Sequence, residues 1–178
     1  MKHLILGGVK SGKSRYAEQL AKDWAEGHSG KVVYIATARA YDDEFGERIK
    51  RHQAQRPAHW ETTEAPLEVA QILNHYSGTQ CCVLLECLTL WLSNILCDDL
   101  DLSSHIEPLC DAIERYEGEL LIVSNETGMG IIPQNVLARN FGDEAGVLHQ
   151  RLATLCDRVS LIVAGLPFPL KTTPDKMI

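Results

Sequence analysis

The run GGVKSGKS at residues 7–14 constrains what this chain can fold into more than any other stretch. It follows the short apolar segment HLIL (3–6) and opens a segment in which Tyr16, Leu20 and Trp24 recur every four residues. Glycines let such a loop curl until successive backbone N–H groups point inward at an anion. The helix that follows offers its positive end to the same charge. Gly7, Gly12, Lys13 and Ser14 meet the pattern G-x-x-x-x-G-K-[ST], in which the lysine reaches the β- and γ-phosphates of a nucleotide and the hydroxyl ligates Mg²⁺. A chance match somewhere in 178 residues has odds on the order of one in a hundred. Its placement between a strand and a helix lowers them further.

The rest of the chain supplies the sheet that such a loop requires. KVVYIAT (31–37), CCVLLE (81–86), LLIVSNE (120–126) and VSLIVAG (159–165) join HLIL as near-continuous apolar runs, the signature of strands covered on both faces. HWETTE (59–64) alternates more weakly and reads as a short strand or extended loop. Helical spacing is expected over 13–26, 66–75, 104–116 and 144–156. The repeated β-α order predicts one doubly wound α/β domain over residues 1–178, with ligands beyond the carboxyl ends of its strands.

Charge and cysteine usage exclude several classes. A formal net charge of −7 speaks against a nucleic-acid binder, which needs a basic face. A small anionic ligand is compatible, because ERIKRHQAQRPAHW (47–60) gathers positive charge locally. The six cysteines form no C-x-x-C pair, so neither a zinc site nor a disulfide framework is suggested, and Cys81, Cys82 and Cys87, in or beside an apolar run, are expected as buried reduced thiols. MKHLILGG is far too short an apolar run to span a bilayer, and without a signal peptide the chain is expected in the cytoplasm.

Two acidic residues end strands where a phosphate loop wants a partner for magnesium or its waters, Glu86 and Glu126. Aspartate is the commoner residue at the first position, so Glu86 is expected to act through water or to hold a nucleotide hydroxyl. For Glu126 a helix N-cap or surface carboxylate is the competing reading. DDEFGERIKRHQAQ (42–55) reads as a helix stopped by Pro57, with Arg48 and His52 four apart on one face and Lys50, Arg51 and Arg56 nearby. Neighbouring cations keep an imidazole neutral and stabilise departing pyrophosphate, which suits a nucleophilic His52. Steering of phosphates by a solvated basic face explains the stretch as well. His59, beyond the proline, reads as a strand or core residue. Gly128 and Gly130 permit a tight turn, and Pro133 suits the first turn of a following helix.

Taken together, GGVKSGKS, YIATA, DDE, RIKRHQAQRPAHW, LLECLTLWLSN and VSNETGMGIIPQNVLARNFGDEAGVLHQRLA closely resemble the bifunctional adenosylcobinamide kinase / adenosylcobinamide-phosphate guanylyltransferase family of cobalamin biosynthesis. The phosphate loop alone is generic. R-I-x-x-H-x-x-x-R-P-x-x-W together with S-N-E-x-G-M-G-I-x-P is specific to that family, and the match runs to about Gly165.

The resemblance implies a P-loop NTPase fold of the RecA-like type, three layers with a mostly parallel sheet, assembled as a homotrimer. It implies phosphorylation of adenosylcobinamide by ATP or GTP. GMP from GTP is then transferred to that phosphate, giving adenosyl-GDP-cobinamide and pyrophosphate, through a guanylylated histidine that the motif maps onto His52. Lys13 would be catalytic. Gly7, Gly8, Val9, Lys10, Ser11, Gly12, Lys13 and Ser14 would bind the triphosphate, and Ala36, Thr37 and Ala38 would lie beside it. Gln53, Ala54, Gln55 and Arg56 would follow the nucleophile along the guanine nucleotide. Glu64 and Glu86 would complete the pocket, with Glu86 near the ribose or the Mg²⁺ that Ser14 holds.

Two positions depart from the family pattern. Gly142 replaces a frequent arginine, losing a positive charge, and His149 replaces a frequent asparagine while keeping a hydrogen-bonding side chain. Two other readings remain: a monofunctional P-loop small-molecule kinase, and a GTP-binding assembly module without acceptor chemistry.

Overall fold

Six near-continuous apolar or extended runs and one unexpected strand pair edge to edge in a computed structural model that describes residues 1–40, 46–47, 53 and 56–172. The strands are β1 (Lys2–Gly7), β2 (Lys31–Ala36), β3 (Glu61–Glu64), β4 (Cys81–Glu86), β5 (Glu119–Asn125), β6 (Arg158–Val163) and β7 (Leu166–Lys171). Their order in the sheet is β3-β2-β4-β5-β1-β6-β7. β1 to β6 run parallel, and only β7 turns back against β6. β1, carrying the phosphate loop, therefore lies inside the sheet, flanked by β5 and β6. The parallel strands alternate their side chains between two buried faces, which explains apolar runs without polar alternation.

The helices are α1 (Lys13–His28), α2 (Val69–Tyr76), α3 (Leu88–Cys97), α4 (Leu102–Arg115) and α5 (Val136–Leu155). α1 packs on one face through Ala17 and Ala21, against Ile5, Val32, Tyr34 and Leu84. α2 to α5 share the other face, where Leu73, Trp91, Leu109 and Leu148 pack against Leu4, Val33, Ile35 and Ile122. The result is the expected three-layer α/β arrangement, with unequal outer layers among the described residues.

Three differences from the sequence expectations have physical causes. α3 was not expected: LTLWLSNILC is apolar on nearly every side, so no amphipathic period marks it. Its one deeply buried polar side chain, Asn94, donates to Thr37 O at 2.8 Å and Pro66 O at 2.9 Å. β7 was not expected because LPFPLK holds two prolines, which lack the N–H a central strand needs. They are tolerated because β7 pairs on one side only, at the end of the sheet. α5 begins at Val136, eight residues before the expected start, with Asn135 Oδ1 accepting from Ala138 N at 3.0 Å. Pro133 consequently precedes the helix instead of forming its first turn.

Cys81, Cys82 and Cys87 are buried, as expected, as are Cys110 and Cys156, while Cys97 is exposed.

Candidate active site

The phosphate loop takes its shape from two crowded glycines and two left-handed residues. A Cβ on Gly7 would lie 2.5 Å from Ser11 Oγ and 2.8 Å from Ile162 O. Gly12 has φ +97°, and a Cβ there would stand 3.1 Å from Gly165 Cα. Lys10, at φ +56°, is the second left-handed residue. Such alternation turns successive N–H groups toward a common centre, forming an anion nest. Neighbouring strands brace the loop from both sides. Glu126 N donates to Gly7 O at 3.0 Å, and Gly165 N donates to Ser11 O at 2.8 Å.

α1 begins at Lys13, so its N-terminus faces the nest. The Lys13 side chain is only 8% exposed, and its Nζ donates to Gly8 O at 3.3 Å. Ser14 Oγ donates to Glu86 Oε1 at 2.5 Å. That contact joins the first turn of α1 to the carboxyl end of β4. Desolvation by burial pushes the Glu86 carboxyl up to about 7, while Ser14 and the charges of Lys13 and Arg56 pull it back and Glu18 adds to the rise.

The expected residues on the adjoining strands fall along one line. Ala36 of β2 is in register with both Glu86 of β4 and Glu64 of β3, so all three stand at the carboxyl edge. Ala36 is buried, Ala38 half-buried and Glu64 exposed. Thr37 is different: it has no exposed surface, and its hydroxyl donates to Cys87 O and accepts from Cys87 N at 2.8 and 2.9 Å. Its side chain fixes the backbone just after Glu86.

Arg56 reaches the same edge. Its guanidinium carbon lies 3.7 Å from the centroid of the Tyr34 ring, and its charge acts on both Glu86 and Glu18. Gln53 is exposed, and its carbonyl accepts from Arg56 N at 3.2 Å. His52, Ala54 and Gln55 lie outside the described residues, as do Arg48, Lys50 and Arg51. His59 is exposed in a turn before β3, where a strand or core position was expected. The carboxylate of Glu126 accepts from Gly128 N at 2.6 Å, capping a turn and not α5, whose N-cap is Asn135.

Among the described residues, three of the six buried side-chain polar atoms without a hydrogen-bond partner, Ser11 Oγ, Arg56 Nε and Glu86 Oε2, belong to the expected site. Buried polar groups are normally satisfied. Their concentration here marks the place where a polar ligand completes the structure. A Ser14 hydroxyl beside a carboxylate with one free oxygen also fits Mg²⁺ and its waters, a hard cation that takes oxygen donors. On the other side of the loop a cleft of about 540 Å³ opens, bounded by Gly8, Lys10, Ser11, Thr127, Gly130 and Ala164.

Sequence reasoning did not single out Tyr34 or Glu18. Tyr34 is one ring within an aliphatic strand. Glu18 lies one turn beyond Ser14 on α1, and that spacing was its available signal. At β5, His149 Nε2 and Ser124 Oγ are 2.8 Å apart, so the departure at 149 keeps a hydrogen bond. Burial lowers the pKa of His149, with Glu126 opposing the shift. A Cβ on Gly142 would meet nothing within 4 Å.

Among solved structures, the flagellar accessory protein FlaH from Methanocaldococcus jannaschii superposes with a TM-score of 0.51 at 11% identity, covering 96% of this chain and 78% of that one. A protein from Pyrococcus horikoshii OT3 gives 0.51 at 12% identity, covering 99% and 88%. These likenesses concern the fold alone, an α/β sandwich around a mostly parallel seven-stranded sheet. Sequence relatives go further. The bifunctional adenosylcobalamin biosynthesis protein CobP of Pseudomonas aeruginosa is 50% identical over 177 residues, 98% of this chain and 99% of the relative. The bifunctional adenosylcobalamin biosynthesis protein CobU of Escherichia coli K12 is 37% identical over 183 residues, 94% and 98% respectively. The profile described as cobinamide kinase / cobinamide phosphate guanyltransferase matches residues 3–170. The chain belongs to the cobinamide kinase / cobinamide phosphate guanyltransferase family.

Proposed function

We propose that this enzyme phosphorylates adenosylcobinamide with ATP or GTP and then transfers GMP from GTP to the new phosphate, through a covalent intermediate on His52. The carrying observation is the convergence of Lys13, Ser14 and Glu86 on a nest of backbone N–H groups at the carboxyl edge of the sheet. Membership of the family supports pairing a kinase with a guanylyltransferase.

In the first reaction Gly7 to Ser14 cradle the triphosphate and Lys13 neutralises charge on its β- and γ-oxygens. Ser14, with Glu86 acting through water, would hold Mg²⁺, which supplies further neutralisation of the phosphates. Positioning and electrostatic stabilisation account for most of such a transfer, so replacing Lys13 by Met should lower turnover by about 10²-fold or more. In the second reaction a neutral His52 nitrogen attacks the α-phosphorus of GTP, and the bond to pyrophosphate breaks. An oxygen of cobinamide phosphate then attacks that phosphorus, the P–N bond breaks, and adenosyl-GDP-cobinamide leaves with the histidine restored. Arg56 stands where its charge can follow the nucleotide, between Tyr34 and Glu86.

The test uses GTP labelled at the α-phosphate, Mg²⁺ and denaturing separation of wild type, His52→Ala and His59→Ala. Acid-labile label on wild type and His59→Ala, but not on His52→Ala, is expected. Label on none of them, with nucleotide binding intact, would leave the monofunctional kinase as the better description. GTP binding without phosphorylation of cobinamide would leave the assembly module.

A further inference from the structure

The loop between β5 and α5 carries a run of apolar side chains that the nucleotide site does not use. Ile131 is 97% exposed and Ile132 78% exposed, with Met129, Val136 and Leu137 exposed beside them. Contiguous exposed apolar surface of this kind marks an interaction site more often than chance. The segment is held in shape, because Arg139 Nη1 donates to Pro133 O at 3.0 Å and to Gln134 O at 2.6 Å, and Asn135 caps α5. Beneath it lies a cleft of about 690 Å³, lined mainly by apolar residues such as Leu96, Ile131, Ile132, Leu137 and Phe141, with the charged Arg139 and Asp143 also in its wall. That volume is in the range of pockets built for small organic ligands, roughly 300–1,000 Å³.

Thr127 and Gly130 line both this cleft and the one against the phosphate loop, so the two adjoin across a single turn of backbone. A phosphoryl acceptor must place one hydroxyl at the nucleotide while its bulk rests elsewhere, and binding energy from that bulk orients the reacting group. We infer that the cleft between α3, the 127–135 loop and the start of α5 binds the corrin body of cobinamide, with the hydroxyl-bearing arm directed past Thr127 toward the phosphate loop. This rests on the reading of cobinamide as the acceptor. A corrin presents broad apolar faces fringed by uncharged amides. Apolar walls interrupted by the polar groups of Ser93, Asn135, Arg139 and Asp143 suit that chemistry, the apolar part meeting the faces and the polar groups the amides. Gly142, which also lines the cleft, leaves its wall open where a longer side chain would fill it.

The test compares wild type with the Ile131→Ser/Ile132→Ser double variant and with Leu137→Ser, all at exposed positions whose change spares the core. Cobinamide binding is measured by equilibrium dialysis at its visible absorbance, with nucleotide affinity, kinase kinetics and molecular mass in solution measured in parallel. Both variants should bind cobinamide at least about tenfold more weakly. Nucleotide affinity and mass should stay unchanged, and the loss should appear in KM for cobinamide. Wild-type affinity for cobinamide in the variants would overturn the inference. So would a loss accompanied by a changed mass in both, which would make this face a contact between copies of the chain. Failure of wild type to phosphorylate cobinamide would overturn the proposed function itself, and the cleft assignment with it.

Discussion

Two glycine-bearing loops leave neighbouring strands at the same edge of the sheet, and they are built on opposite plans. In the loop after β1, Gly7 and Gly12 are demanded by crowding and by a positive φ, and backbone hydrogen bonds from Glu126 and Gly165 hold the turn. In the loop after β5, a Cβ on Gly130 would meet nothing within 4 Å, and apolar side chains face outward. The first loop must present fixed N–H groups to a small, highly charged anion, where a fraction of an ångström matters. The second offers surface to something large, for which shape and area count for more. Glycine alone therefore does not tell the two apart; what a Cβ would strike does.

The sharpest break in this contrast is Gly12→Ala. Strain at φ +97° combined with a 3.1 Å approach to the Gly165 backbone should distort the nest and weaken nucleotide binding by about 100-fold, on the order of 3 kcal/mol, measurable by titration calorimetry.

Next comes the dependence of stability on pH through Glu86. Folding raises this carboxyl from 4.5 to about 7, so the folded state holds an extra proton in that interval. Stability present below 4.5 is therefore lost as pH rises through 7, by about 3 kcal/mol in order of magnitude. Glu86→Gln should remove that slope and melt higher than wild type above pH 7 in the ligand-free protein. Parallel melting curves from pH 4 to 8 would sink the assignment.

A smaller effect is expected at Tyr34, which seats Arg56. Tyr34→Leu should cost about 1–2 kcal/mol of guanine nucleotide affinity, whereas Tyr34→Phe, which keeps the ring, should retain it. Smallest of all, Gly130→Ala should shift unfolding free energy by less than about 0.5 kcal/mol, since neither space nor backbone conformation opposes the new methyl.

What the residues disclosed in advance follows the same division. The nest and its strand-to-helix setting were legible because their chemistry admits few alternatives. Glu86 could be placed because parallel strands end together. The tie between the Thr37 hydroxyl and the Cys87 backbone was not legible, because it is a pairing fifty residues apart that no local pattern reveals. α3 was hidden by its own burial, and β7 by prolines that only an edge position accommodates. Arg56 was noticed for its charge, but its seat on Tyr34 depends on a strand earlier in the chain.

The turn at Ala164 and Gly165 has a consequence in time as well as in space. The nest is encoded in the first fourteen residues, yet β1 needs β5 and β6 as neighbours, and Ser11 is bonded by Gly165. A ribosome makes the nucleotide-binding motif first and its supports last, and contacts of such sequence separation form slowly. A nascent chain would thus acquire its grip on triphosphate only when synthesis is nearly complete, and nucleotide retention by stalled chains of increasing length should rise abruptly once the 158–171 hairpin has emerged.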